Sequence, residues 1–310
     1  MSQNGCGFNS QTNPGAVLIE INSIPADRPV LIAGPTAAGK SSLALNIAEK
    51  QGGIIINADA MQVFDGWRII TARPDDADLA QAEHLLYGHI HFDQPYSVGQ
   101  WLREVGQILQ DRAERAIIVG GTGLYFRALT EGLAEIPPTP TQIRAEGEAL
   151  LADQGLNALL SALDAATLAR IDQQNPARVL RAWEVLQTTG RSLSDWQDST
   201  PPPLLPVQSC TPLLIAARRD WLNPRINQRF DLMLQSGALE EARAMEPHWN
   251  PRHLSAKAIG AAQLIAHIRG ELSLERAKEL ACIASHQYAK RQRSWFRARM
   301  ADWTPLDPQA

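Results

Sequence analysis

The sequence predicts an α/β chain, a parallel sheet flanked by helices and interrupted by an all-helical insertion. Three observations lead there. A glycine-rich turn, Gly34-Pro35-Thr36-Ala37-Ala38-Gly39-Lys40-Ser41, stands between the apolar run Val30-Leu31-Ile32-Ala33 and a segment with helical apolar spacing, residues 42–50. Strand followed by turn recurs at residues 54–59 and 116–123. From about Thr130 the pattern changes, and residues 141–198 read as helices without a strand.

The glycine-rich turn fits the phosphate-loop (P-loop) pattern, two glycines followed by Lys-Ser. Glycines let the backbone turn tightly, so successive N–H groups point inward at phosphate oxygens, and the following helix adds its dipole. In that pattern Lys40 reaches a terminal phosphate and the Ser41 hydroxyl can ligate Mg²⁺. The second strand, Ile54-Ile55-Ile56-Asn57-Ala58-Asp59, ends in an acid. Ligands of such sheets sit beyond the carboxyl ends of the strands, so Asp59 should face the same crevice as the loop. Its other reading is a cap for the turn after the strand.

Residues 75–91 are polar and hold His84, His89 and His91. His89 and His91 with Asp93 could suggest a metal site, but a solvated loop is the simpler reading because no further well-spaced ligand accompanies them. A helix is expected over residues 98–113. The third strand, Ala116-Ile117-Ile118-Val119, runs into Gly120-Gly121-Thr122-Gly123 and a further helix, with Thr122 directed at the crevice.

Pro137, Pro138 and Pro140 open a linker into the insertion, and Pro201, Pro202, Pro203 and Pro206 close it. Within it one helix has clear ends: Asn175 as cap, Pro176 at the first position, and Gly190 after the last. Val179, Trp183 and Leu186 share one face, and Arg178 and Arg181 another, which is either a solvated face or a nucleic-acid clamp. After a returning strand, residues 212–217, a second capped helix is expected to begin at Asn223-Pro224. Its Arg225 and Arg229 project from one face, suiting either a diphosphate or a surface ion pair. The last helix, residues 275–300, carries Lys290, Arg291, Arg293, Arg297 and Arg299 with Trp295 and Phe296 among them. That is either a phosphate-backbone surface with stacking aromatics or favourable charge at a helix C-terminus.

These segments divide the 310 residues into a flexible tail, 1–28, a core in two parts, 29–136 and 207–310, and an insertion, 137–206. Hydrophobic content of 45% and charged content of 20% suit an ordinary folded globule. A net charge of −4 gives no global attraction to nucleic acid, so any such surface must be a local basic patch. Cys6, Cys210 and Cys282 are far apart, which suits a reduced cytoplasmic protein without structural zinc. Residues 1–28 lack the pattern of a signal peptide, and no apolar run approaches membrane-spanning length, so no membrane partner is expected.

Taken together, the motifs resemble those of bacterial tRNA dimethylallyltransferases, also called tRNA isopentenyltransferases. The resemblance runs in order through the phosphate loop, Ala58-Asp59-Ala60-Met61-Gln62-Val63-Phe64 and Thr71-Ala72-Arg73-Pro74. It continues through residues 119–129, Arg178-Val179-Leu180-Arg181-Ala182-Trp183-Glu184-Val185, Arg225-Ile226-Asn227-Gln228-Arg229-Phe230 and Tyr288-Ala289-Lys290-Arg291-Gln292-x-x-Trp295. It implies a P-loop NTPase-like core with a helical insertion, acting as a monomer. The donor would be dimethylallyl diphosphate, the acceptor the anticodon stem-loop of tRNA, and Mg²⁺ would assist. Diphosphate would lie on Gly34, Pro35, Thr36, Ala37, Ala38, Gly39, Lys40, Ser41 and Arg229, with Ser41 toward the metal. Asp59, Lys40, Thr122 and Arg229 would be catalytic. By motif position tRNA contacts fall on Asp59, Ala60, Met61, Gln62, Thr122, Arg144, Ala177, Arg178, Val179, Leu180 and Arg181, and on Lys257, Ala258, Ile259 and Gly260.

The chain departs from the family pattern at four places: Ile70 for a usual glycine, Glu83-His84-Leu85-Leu86-Tyr87, Ala261-Ala262, and Ser285-His286-Gln287. The competing class is a P-loop small-molecule kinase, in which the same loop binds ATP and Asp59 activates an acceptor hydroxyl.

Overall fold

The computed structural model describes residues 21–309. Its sheet has six parallel strands in the order β3-β2-β4-β1-β5-β6. Strand β1, Val30–Ala33, lies between β4, Ala116–Gly120, and β5, Thr211–Ile215, with Val30 opposite Ile117 on one side and Thr211 on the other. All four of its residues are buried, because a central parallel strand is covered on both faces and needs an unbroken apolar run. Strand β2, Ile54–Asn57, flanks β4, so the chain crosses over β4's position on leaving β1. That reversal of direction opens a crevice at the carboxyl ends of β1, β2 and β4. Helix α1, Lys40–Gln51, comes directly after the phosphate loop and buries Leu43, Ala44 and Ile47.

Residues 75–91 are more ordered than a polar stretch suggests. Helix α2, Asp76–Gln81, opens on a capping box in which Asp75 accepts from the Ala77 and Asp78 N–H groups and Asp78 returns the bond. None of its residues is buried, so it carries no hydrophobic periodicity to read. Strand β3, the pair His84–Leu85, then closes one sheet edge against β2. Helix α3, Val98–Asp111, buries Trp101 and Val105. Helix α4, Gly123–Glu131, comes after β4.

By contact the chain forms two units, one running to Arg127 and resuming at Leu205, the other Ala128–Leu204. The second unit holds α5, Thr141–Gln154, α6, Leu156–Leu160, α7, Ala165–Arg170, α8, Pro176–Thr189, and α9, Leu193–Asp198. Leu159, Val179, Ala182 and Trp183 form its core. Helix α8 has the ends expected of it: the Asn175 side chain accepts from Ala177 and Arg178, and Gly190 closes it at φ 64°.

In the first unit, α10, Arg219–Gln235, starts before the expected Asn223-Pro224. Pro224 sits one turn in, where it forgoes a single bond to the Asp220 carbonyl, and the apolar face continues through Leu222, Ile226 and Phe230. Then come α11, Ala238–Met245, α12, Ala261–Ile268, and α13, Leu274–Arg299, before a short strand, β6, Thr304–Leu306, pairs with β5. The tail expected over residues 1–28 lies outside the described residues up to residue 20. Its last part is packed rather than loose: Ile21 and Ile24 enter the sheet's core, and Gln51 donates to both their carbonyls. The departure at Ile70 has a packing reason, since it is buried with Trp67, Phe230 and Leu264. Cys6 is outside the described residues, and Cys210 and Cys282 are buried free thiols. Among the described residues no helix is long and apolar enough to cross a membrane.

Candidate active site

The phosphate loop joins β1 to α1 through left-handed residues at Ala37, φ 60°, and Gly39, φ 91°. Gly39 caps α1 without any side-chain hydrogen bond, so the first-turn N–H groups face the crevice and suit an anion. Lys40 folds back over the loop, its Nζ donating to the Pro35 carbonyl at 2.8 Å. Burial lowers its pKa to about 8, against a raising effect of Asp59 and a further lowering by Arg229. An anion bound at the loop would favour the charged ammonium and raise that pKa again.

The two arginines of α10 do share a face, and that face is turned to the loop. Arg225 Nε donates to the Ala37 carbonyl at 3.2 Å, with its guanidinium carbon 4.4 Å from the centroid of the Trp221 ring. Arg229 Nη1 lies 3.5 Å from the Thr36 hydroxyl. Burial lowers the Arg229 pKa, partly opposed by Asp59. These contacts turn both guanidinium groups toward the phosphate loop, the placement that the anion reading needs.

Asp59 leaves β2 on a scaffold of short-range bonds. The buried Asn57 side chain accepts from the Asp59 N–H at 2.8 Å and donates to the carbonyls of Asp59 and Leu86, each at 3.0 Å. Trp101 Nε1 fixes the Asn57 carbonyl at 2.7 Å. One carboxylate oxygen of Asp59 accepts from the Met61 N–H at 2.9 Å, and the other points past Gly121. Capping and crevice-facing roles are thus combined in one side chain. Thr122 Oγ1 accepts from the Ala60 N–H at 2.9 Å, tying the β4 turn to the β2 turn. Tyr87, Tyr125 and Tyr288 surround the carboxylate, and burial together with the Asp59 charge pushes all three phenols up, so they stay protonated.

Helix α13 closes the crevice. A Cβ on Gly121 would come within 2.4 Å of Gln292 Nε2, and one on Gly123 within 2.2 Å of the Trp295 ring. Only a turn without side chains admits the helix this closely. The buried Gln292 accepts from the Thr36 N–H through Oε1 and donates to the Gly121 carbonyl through Nε2, each at 2.9 Å. The two aromatics here divide: Phe296 is buried, while Trp295 covers Gly123. Lys290, Arg291, Arg297 and Arg299 are exposed, and Lys290 and Arg291 border an open depression with Gln287, Ser294 and Trp295.

The remaining candidate residues fall into three places. Gln62 spends its amide N–H groups on the Thr71 and Ala72 carbonyls, both at 2.8 Å, so it holds the Thr71-Ala72-Arg73-Pro74 loop. Lys257 is exposed at the end of the 3-10 turn Ser255–Lys257. After it come buried Ala258, half-buried Ile259 and Gly260, whose φ of 102° caps α12 beside Phe230. Arg144, Ala177, Arg178, Val179, Leu180 and Arg181 belong to the helical unit. Val179 has no exposed surface there, so its side chain is core rather than contact, and Leu180 packs on the same cluster. The buried Glu184 carboxylate lies 3.4 Å from Arg144 Nε and 3.5 Å from Arg181 Nη1, holding two of the expected cations in place.

His89 pairs with Glu104 at 2.9 Å and His91 with Asp93 at 2.6 Å. Among the described residues no three acidic, histidine or cysteine side chains converge on a metal. Mg²⁺ still suits the phosphate loop, because it commonly takes one or two protein oxygens and fills its other positions with phosphate and water. Ser41, exposed at the first turn of α1, is such an oxygen.

Three site residues had no role assigned from sequence: Asn57, Gln292 and Glu241, whose carboxylate accepts from the N–H groups of Arg68, Ile69 and Ile70 ahead of Thr71. Gln292 stands inside a recognised motif, which is the only signal that sequence offers for it.

Comparison with known proteins agrees with this geometry. The family model for IPP transferase matches residues 62–299, and that for isopentenyl transferase residues 28–92. A tRNA dimethylallyltransferase of a Ruegeria species is 58% identical over 94% of this chain and 100% of its own length. One from Dinoroseobacter shibae is 57% identical over 94% and 98%. Among solved structures, the tRNA isopentenylpyrophosphate transferase of Bacillus halodurans matches with a TM-score of 0.64 at 29% identity, covering 91% of this chain and 90% of that one. A eukaryotic dimethylallyltransferase acting on tRNA shares the fold with a TM-score of 0.78 at 24% identity, covering 90% and 73%.

The lowered pKa of Lys40 sets a pH dependence. Below about 8 the ammonium is present in the free protein, and above it the charge must be regained on binding. Affinity for inorganic diphosphate, measured by calorimetry across a pH series, is expected to fall as pH rises through that value. Lys40→Arg keeps its charge throughout and should flatten the profile. An unchanged slope in that variant assigns the dependence to another group.

Proposed function

The chain belongs to the tRNA dimethylallyltransferase family, and on that premise we propose that it prenylates N6 of the adenosine just 3′ of the anticodon. The donor is dimethylallyl diphosphate, and diphosphate is released. The observation that carries this reading is the pairing of an anion cradle with a carboxylate across one crevice: uncapped loop N–H groups, Lys40 and Arg229 on one side, Asp59 on the other.

The allylic C1–O bond breaks as negative charge gathers on the departing diphosphate, which the loop, Lys40 and Arg229 stabilise. Ser41 would hold Mg²⁺, which would add to the neutralisation of that charge. The adenine N6 amine is a weak nucleophile, because its lone pair is delocalised into the ring. As N6 bonds to C1, Asp59 takes the amine proton. The Met61 N–H holds one carboxylate oxygen, and Asn57 and Thr122 hold the backbone on either side of it. A stacked adenine must be turned out to reach the crevice, and that requires binding energy from elsewhere on the tRNA. In this proposal Arg144, Arg178 and Arg181 of the helical unit supply part of it, together with Lys257.

Two experiments test the reading. Incubation with unmodified tRNA and either labelled dimethylallyl diphosphate or γ-labelled ATP should transfer only the prenyl label into RNA. Transfer of the ATP label to a small acceptor, with none from the prenyl donor, makes the protein a kinase instead.

The second concerns the helical unit. In a chain of net charge −4, affinity for RNA rests on local cations. Removing one cation that neutralises a phosphate lowers the salt slope of log affinity by about 0.7 to 0.9. Tested across a salt series, Arg178→Ala with Arg181→Ala should bind tRNA more weakly and with a flatter slope, while donor binding is unchanged. An unchanged slope leaves these arginines as a solvated face.

A further inference from the structure

Among the described residues, Gln292 is the one buried side chain that bonds to both halves of the crevice. Its Oε1 accepts from the N–H of Thr36 in the phosphate loop, and its Nε2 donates to the carbonyl of Gly121 in the β4 turn, each at 2.9 Å. Those partners stand 256 and 171 residues away in sequence, so the contact is made by the fold and not by a local turn. The β4 turn is itself fixed to Asp59: Thr122, next to Gly121, receives the Ala60 N–H, and Gly121 passes close to the Asp59 carboxylate. A continuous chain of bonds therefore runs from the anion cradle through one amide to the carboxylate on the opposite wall.

We propose that Gln292 is a positioning residue for prenyl transfer, setting the distance between the diphosphate cradle and the Asp59 turn. The inference rests on the prenyl-transfer reading above. Thr36 is on the β1 side of the loop, so engaging its N–H leaves the N–H groups nearer α1 for the anion. Gln292 orients the loop without competing for its ligand. Both of its bonds go to backbone, which cannot be replaced by a neighbouring rotamer, and a side-chain amide can accept through its oxygen and donate through its nitrogen. Its helix supports the role. Tyr288, Gln292 and Trp295 recur at helical spacing along one stripe, with Tyr288 in electrostatic contact with Asp59 and Trp295 seated on Gly123. The exposed Lys290 and Arg291 lie on the adjacent stripe. Whatever seats α13 thus seats the clamp as well.

Gln292→Met tests this most cleanly. It has nearly the same length, suits a buried position, and removes both hydrogen bonds. The reading is a single-turnover rate at saturating donor and tRNA, expressed per folded protein and set beside both affinities. A misplacement of about an ångström between reacting groups costs on the order of a hundredfold in rate, so a fall of about ten- to a hundredfold is expected. Both affinities should stay within a few-fold, because neither substrate is deprived of a direct contact. A role in stability alone lowers the folded fraction and leaves the rate per folded molecule unchanged, and that result overturns the proposal. So does a loss confined to donor affinity, which would make Gln292 a binding group. Should Gln292→Met not accumulate as folded protein, Gln292→Leu is read in the same way. It too removes both hydrogen bonds from a buried position, and a normal single-turnover rate there overturns the proposal equally. Absence of transfer by the unaltered protein, in contrast, is a failure of the prenyl-transfer reading and not of this one.

Discussion

Helix α13 reaches the Thr36 N–H and the Gly121 carbonyl with one amide because residues 121 and 123 have no side chains to hold it off. That close approach brings together three segments far apart in sequence: the phosphate loop after β1, the acidic turn after β2 and the glycine turn after β4. The parallel sheet supplies their common edge, since every strand points its carboxyl end the same way. The helix then locks them in register. A side chain at 123 would collide with the Trp295 ring and one at 121 with the Gln292 amide, and the crevice would lose its third wall.

Electrostatics derive from that enclosure. Lys40 and Arg229 are half-buried beside the loop with Arg225 close by, and desolvation there lowers the pKa of both Lys40 and Arg229. Asp59 is the nearby negative group acting on each, and it opposes the lowering in both cases. A cradle with more positive than negative charge, little screened by water, is stabilised by an incoming polyanion. Burial, with the negative charge of Asp59 added, keeps the surrounding phenols protonated, so Asp59 has no competing anion among them. In the proposed reaction the cations face the leaving group, while Asp59 stands among neutral phenols as the proton acceptor.

Much of this was legible in the sequence where the cause is local. The strand, loop and helix around Gly34-Lys40 announce themselves through apolar runs and glycines, and α8 through its Asn175, Pro176 and Gly190 ends. Asp59 could be placed because strand ends in such sheets face the ligand. What stayed hidden depends on contacts without local pattern. Helix α2 buries nothing, so it has no periodicity. Proline at 224 suggested a helix start, yet tertiary packing of Leu222 carries α10 an extra turn ahead of it. Gln292, Glu241 and Glu184 act through bonds to distant backbone or to paired arginines, and a lone polar residue in a helix looks the same whether it does this or faces water. For Val179 the helical spacing with Trp183 marked the side chain as core, so a contact expected from motif position would fall to its backbone.

Everything in the proposed chemistry turns on Asp59 removing the proton from the attacking amine across from a diphosphate held by the loop. Asp59→Asn preserves the shape of the turn and can still receive the Met61 N–H, but it has no carboxylate to accept a proton. Single-turnover transfer from dimethylallyl diphosphate to bound tRNA, with tRNA affinity measured alongside, addresses this directly. The expected result is a fall in rate of about a hundredfold or more with affinity changed only a few-fold. Transfer at a near-normal rate would contradict this role and move the proton to another acceptor.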